Sequence, residues 1–179
     1  MQAPNGLAAV QAAFGNPANG DGTLNQAWAA ANIRRVAPPD GWHLYYQQTQ
    51  SHLVSVSAIS MHGLVEPMFL AAMRDIWQAA RQQLNPAASD DAVRVWLHQQ
   101  RLDITGGGFN FRHITGGATL SMHAFGIAID WDPLHNPRGN PLRRTLPDWW
   151  YQIWANQGWS DGRHFNTPDP MHVQFATGC

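Results

Sequence analysis

The chain has 179 residues, 44% of them hydrophobic, which is enough for one domain with a sizeable core. All 11 basic residues are arginine, set against 12 acidic ones, and a net charge of −1 gives no electrostatic footprint for nucleic acid or an anionic membrane. The one cysteine, Cys179, excludes an internal disulfide.

Met1 to Gly15 has neither a basic n-region nor a long apolar h-region, so no signal peptide is expected. No apolar run approaches the roughly 18 residues of a membrane span. Synthesis in the cytoplasm without membrane insertion follows, and nothing calls for an obligate partner, so a monomer is expected.

Asn5 is placed to cap a short helix over Gly6 to Phe14, with Gly15 as its stop. A Gly/Asn/Pro-rich loop from Asn16 to Gly22 leads to a second short helix around Leu24 to Ala31. Ile33 to Ala37 reads as extended, and Pro38 to Gly41 as a turn. Trp42 to Tyr46 and Leu53 to Ile59 are strand candidates. In Val65 to Leu84, Phe69, Met73, Ile76, Trp77, Ala80 and Leu84 recur at helical spacing, with Pro86 beyond the end. Ser89, Asp90 and Asp91 open another helix, to about Gln100, with the acids at its positive end.

Gly106-Gly107-Gly108 reads as a break before a strand from Phe109 to His113, in which Phe109 and Phe111 alternate with Asn110 and Arg112. Gly116-Gly117 turns the chain back. Asp132 to Pro141 is an irregular loop. Pro147 suits a first helical position, followed by a buried stripe of Trp150, Ile153 and Trp154 and a stop at Gly158. Ser160 to Pro168 reads as a loop carrying His164 toward a last strand. No repeat, low-complexity tail or separate second module is visible.

The chemistry concentrates in two stretches. In Ser121 to Asp130, Ile127 and Ile129 point one way while Gly126, Ala128 and Asp130 point the other, the alternation of a half-buried strand. His123 and Asp130 then converge on a space that Gly126 and Ala128 leave open. In Asp169 to Phe175, Val173 and Phe175 alternate with His172 and Gln174. If the two strands pair, His123, Asp130 and His172 make a three-ligand zinc set with a fourth position free, the pattern of a catalytic site. Asp169 would stand near that position as a general base.

These residues resemble a known family. Ser121, His123, Gly126, Ala128 and Asp130 fill S-x-H-x-x-G-x-A-x-D at every position, and Asp169 and His172 fill a later acidic-x-x-H element. The pattern is similar to that of the M15 zinc peptidases, which act on bacterial wall peptides as D-Ala-D-Ala carboxypeptidases, dipeptidases and L-alanyl-D-glutamate endolysins. Gly108-Phe-Asn-Phe-Arg112 resembles the arginine-bearing stretch before the first motif in endolysin-like members.

The resemblance runs from about Asn32 to Phe175. It implies an α+β fold of hedgehog/DD-peptidase type, a small antiparallel sheet with helices on one face and a zinc groove on the other. It implies Zn2+ at His123, Asp130 and His172, Asp169 as the base (one methylene shorter than the family's more usual Glu), and Arg112 holding substrate or stabilising an oxyanion. Ser121 serves a turn or meets substrate; Gln174 is solvated or meets substrate; His164 is a loop residue or a substrate contact. His135 is a loop residue near the site in sequence that reads as structural, and His43, His52, His62, His98 and His113 lack ligand spacing and read as structural or solvated.

Peptidoglycan stem peptides are the implied substrates, and an endolysin-like L-Ala–D-Glu endopeptidase meeting the wall after phage-mediated permeabilisation is the leading expectation. A D-Ala-D-Ala carboxypeptidase or dipeptidase is the alternative. A non-catalytic zinc-containing wall-binding module is a reading of a different class, disfavoured by the presence of Asp169.

Overall fold

The computed structural model describes residues 1–39, 41–49 and 52–179. In chain order the elements are α1 (Leu7–Phe14), α2 (Gln26–Asn32), β1 (Ile33–Val36), β2 (Leu44–Thr49), β3 (His52–Val56), β4 (Ile59–His62), α3 (Glu66–Leu84), α4 (Asp90–Gln99), β5 (Ile104–Gly107), β6 (Ala128–Trp131), α5 (Asp148–Asn156), β7 (Ser160–Gly162) and β8 (Asp169–Gln174). Six strands form one sheet in the order β3-β2-β5-β6-β8-β7, and β1 pairs with β4 as a separate ribbon.

The mixed α+β class is as expected, but the sheet is not purely antiparallel: β5 runs parallel to β2. A parallel neighbour needs a long crossover, and α3 and α4 lie between the two strands in sequence. This connection puts β5 in the middle of the sheet, next to β6.

Helix α3 forms where the apolar period predicts it. Phe69, Ala72, Met73, Ile76, Trp77 and Ala80 are buried along one stripe, and Pro67 sits in the first turn. Each large apolar side chain removed from water there contributes about 1.5–3 kcal/mol. Helix α4 is capped by Ser89, whose Oγ accepts from the Ala92 N–H at 3.3 Å. Ile129 and Trp131 of β6 are fully buried on the helix side of the sheet. There Trp131 meets Trp150 and Trp154 of α5 at ring separations of 6.0 and 5.8 Å, and Trp154 meets Trp159 at 5.1 Å. Among the described residues no helix is long and apolar enough to cross a membrane.

Several local expectations change. Residues Phe109 to His113 are not a strand; the strand is Ile104–Gly107 and contains two of the glycines read as a break. These glycines permit close packing, because a Cβ at Gly106 would lie 3.0 Å from Asp130 Cβ, and one at Gly108 would strike the Ser60 carbonyl. Leu53 to Ile59 is divided between β3 and β4. Asn5 does not cap α1; Gly6 occupies that position without a side-chain bond, and Asn5 bridges to Thr177. Ser160–Gly162 is a strand within the stretch read as a loop. Pro147 is the N-cap of α5, and Tyr151 is more deeply buried than Ile153. The turn expected at Pro38 to Gly41 lies partly outside the described residues, since Asp40 is not among them.

Candidate metal centre

His123 sits in a single 3-10 turn, Met122–Phe125, whose start is capped by Ser121 Oγ accepting from the His123 N–H at 3.3 Å. The turn ends at Gly126, which adopts φ 70°, a left-handed conformation that costs glycine little. Gly126 does not open space in front of the strand, as its place in the alternation suggests. A Cβ there would lie 2.7 Å from Ile33 Cδ1 and 2.8 Å from the His62 nitrogen, so the glycine lets the turn press against β4 behind it. Ala128 is likewise fully buried.

The two motif strands do pair. Asp130 of β6 and His172 of β8 are direct cross-strand partners, so their side chains leave the sheet on the same face. Asp130 Oδ1 lies 3.2 Å from His123 Nε2 and 3.1 Å from His172 Nδ1. One donor atom from each of the three residues falls within 4.8 Å of the others.

This donor set suits a divalent metal, as two tautomers show. His123 Nδ1 lies 2.7 Å from the Gly108 carbonyl, to which it donates, leaving the Nε2 lone pair turned to the centre. His172 Nε2 lies 3.0 Å from Gln174 Oε1, which leaves the Nδ1 lone pair turned the same way. Each ring is held by an acceptor on its far side, the arrangement that orients metal-ligating histidines. Two imidazoles and one carboxylate with a position left over match three-ligand zinc chemistry.

The electrostatics agree. Burial alone would raise the Asp130 carboxyl, but when the two rings are protonated instead, their hydrogen bonds to it and their charge outweigh burial and hold it well below the usual carboxylate range. Burial pulls His172 down, yet Asp130 more than compensates, and the imidazole stays above its ordinary value. The centre attracts positive charge.

Asp169 opens β8 opposite Gly162. Among the described residues its Oδ1 is buried without a hydrogen-bond partner, and its Oδ2 is 4.0 Å from Arg138 Nε. Burial raises its pKa, partly offset by the charge of His172 and reinforced by that of Asp130. Arg112 lies in the irregular segment after Gly108, where its carbonyl accepts from the Ser121 N–H at 3.0 Å. Two cavities share Arg112 and Asp130 as a common wall. The larger, about 830 Å3, also meets Ser121, His164, Asp169, His172 and Gln174. The smaller, about 210 Å3, is bounded by Tyr46, the 106–108 glycines and His123.

Ser121 and Gln174 both have internal partners, and His164 is an exposed residue on the rim of the larger cavity. His135 pairs with Asp132 and His98 with Asp103, while His62 is buried behind the centre. Sequence reading missed the Gly108 carbonyl, Gly162, Tyr151 and Arg138. Only the glycine run offered a signal, since close backbone approach is a standard reason for consecutive glycines.

A peptidase M15 family model, described as D-alanyl-D-alanine carboxypeptidase, matches residues 115–175. No curated protein and no solved structure matches the chain. That matched segment contains His123, Asp130, Asp169 and His172, and over it the chain is similar to the M15 peptidases.

Proposed function

We propose that the chain is a zinc metallopeptidase that hydrolyses a stem-peptide amide of bacterial peptidoglycan, with L-Ala–D-Glu as the favoured bond. The observation that carries this reading is the orphaned Oδ1 of Asp169, buried beside a triad of donor atoms already turned toward one point. A structural carboxylate would have its oxygens satisfied; one that exchanges protons needs a free one.

Zinc, when bound by His123, Asp130 and His172, supplies Lewis acidity that favours ionisation of water and polarises a peptide carbonyl. Asp169 takes the proton of the attacking water and hands it to the departing amine. Its raised pKa brings it nearer to the amine it must protonate. Arg112 faces the oxyanion that develops on the carbonyl, a role worth about 3–4 kcal/mol per donor. Gln174 and Gly108 hold the histidines still, and Ser121 holds the turn that carries His123.

Two cavities meeting at Arg112 and Asp130 give room for a peptide that continues past the scissile bond in both directions, which favours an internal cut. The description of the matching family favours the second reading, removal of a terminal D-Ala.

The test is mass spectrometry of purified muropeptides after digestion with zinc-loaded protein and with a chelated control. Fragments ending at L-Ala–D-Glu that vanish on chelation establish the endopeptidase, and released D-Ala establishes the carboxypeptidase. Zinc-loaded protein that binds these muropeptides and leaves them intact is a binding module instead.

A further inference from the structure

The larger cavity holds two guanidinium groups, those of Arg112 and Arg138, and two carboxylates, those of Asp130 and Asp169. Both carboxylates have duties at the centre, Asp130 between two imidazoles and Asp169 beside them. Arg112 spends one N–H on the His113 carbonyl, at 3.3 Å. Among the described residues Arg138 makes no side-chain hydrogen bond. Its nearest anion, Asp169, lies at the 4.0 Å limit of an ion pair, and its side chain is 42% exposed to the cavity and solvent.

This cation does not ride on a loose loop. Asn136, fully buried two residues earlier, accepts from the Thr145 and Leu146 N–H groups at 2.8 and 3.1 Å and donates to the Asp132 carbonyl at 3.0 Å. Asp132 is also fully buried and takes two bonds from Arg101, at 2.9 and 2.7 Å. On the other side, the Gly139 N–H donates to the Pro168 carbonyl at 2.8 Å, tying Arg138 to the residue just before Asp169. Two fully buried polar side chains, Asn136 and Asp132, and the Gly139–Pro168 backbone bond thus hold one under-used guanidinium against the cavity wall. An arginine in that state offers paired, charge-assisted donors to a planar anion.

We infer that Arg138 is a specificity-determining residue that binds a carboxylate of the substrate segment seated in the larger cavity. The inference rests on the peptidase reading for its substrate class, a wall peptide, but not for the contact itself. A stem peptide offers that chemistry in two places: the free α-carboxylate of a γ-linked D-glutamyl residue, and the terminal carboxylate of D-Ala-D-Ala. A carboxamide at the same place has the same shape and lacks the charge.

The probes are L-Ala–γ-D-Glu–L-Lys–D-Ala–D-Ala and two versions of it, one with the D-Glu α-carboxyl amidated and one with the C-terminal carboxyl amidated. Each is titrated calorimetrically into the full chain stripped of metal by chelation, so that no turnover interferes, and each is assayed for hydrolysis by the zinc-loaded protein. One amidation weakens binding by about tenfold or more, as loss of a charge-assisted contact should. The same amidation makes no difference to Arg138→Gln, and its position identifies which carboxylate is read. Equal binding of all three probes by the wild type, or an amidation penalty that persists in Arg138→Gln, overturns the assignment. A penalty that depends on Arg138, with no hydrolysis of any probe, retains the contact and removes the peptidase reading. Arg138→Lys separates charge from geometry: a paired contact is only partly restored by the point charge of lysine.

Discussion

The Tyr151 hydroxyl donates a 2.7 Å hydrogen bond to the carbonyl of Pro170, the residue between Asp169 and Met171. Tyr151 is buried on α5, and the Arg163 guanidinium packs 3.8 Å above its ring. One side chain thus ties a helix to the strand that carries both the proposed base and a proposed ligand. Tyr151→Phe keeps the ring and orphans the carbonyl, which costs about 1–3 kcal/mol. Denaturant titration reads that loss. Peptide turnover drops more than zinc content does, because Asp169 is nearer the lost bond than His172; equal loss of both would make the bond a general fold contact.

Asp169→Asn keeps the shape and cannot take a proton. Turnover falls by about a thousandfold or more, within the contribution assigned to general base and acid catalysis acting at two steps, and zinc content measured by metal analysis stays at one per chain. His123→Ala loses zinc and activity together. An Asp169→Asn protein that lost its zinc would turn Asp169 into a ligand.

Gln174→Leu removes the acceptor that selects the His172 tautomer, at little cost in volume. Removing such a partner typically weakens metal binding by about 10–100-fold. Competition with a coloured chelator measures it. Unchanged affinity would mean that Asp130 alone orients the ring.

Gly126→Ala combines a left-handed backbone with a Cβ 2.8 Å from the His62 nitrogen. A loss of about 1–3 kcal/mol or more is expected from backbone strain alone. Thermal melts of the purified variant would show it, and an unchanged melting temperature would contradict the close approach of the turn to β4.

His62 supplies a pH dependence away from the centre. Burial is the largest influence on its imidazole and lowers its pKa below the ordinary value of 6.5, with a smaller contribution from Arg34. The folded protein therefore prefers the neutral ring, and the unfolded chain takes up a proton first. The stability it contributes is complete above the unfolded pKa and is lost as pH falls through the lower folded one. His62→Asn, which can still accept from the Leu64 N–H as His62 Nδ1 does at 3.2 Å, should flatten the slope of unfolding free energy against pH below about 6.5. An identical slope would assign the acid sensitivity to other groups.

What could be read from the chain beforehand follows from how local each signal is. The stripe from Phe69 to Ala80 announces α3 because a helix is written in its own residues. Asp130 and His172 are legible as neighbours because strand alternation fixes which side chains share a face once the two strands pair, whereas His123 lies in a turn outside the strand and is grouped with them by the family resemblance. Features that depend on distant neighbours were hidden. The parallel pairing of β5 with β2 depends on a crossover, and the strand Ser160–Gly162 is too short to show alternation. Gly126 has the same ambiguity at a smaller scale, since a missing side chain looks alike whether the space belongs to a cleft or to a neighbouring strand.

The four indoles of Trp131, Trp150, Trp154 and Trp159 stand with successive ring centres 5.1–6.0 Å apart, and their buried N–H groups have no hydrogen-bond partner among the described residues. Chromophores so close share their excitation, so the near-ultraviolet circular dichroism of this protein belongs to the group and not to separate tryptophans. Indoles kept from water and from acceptors also emit at short wavelength and shift to the red when the core opens. Trp131 is one peptide bond from Asp130, so the same strand that presents the carboxylate carries an intrinsic optical gauge of its own position.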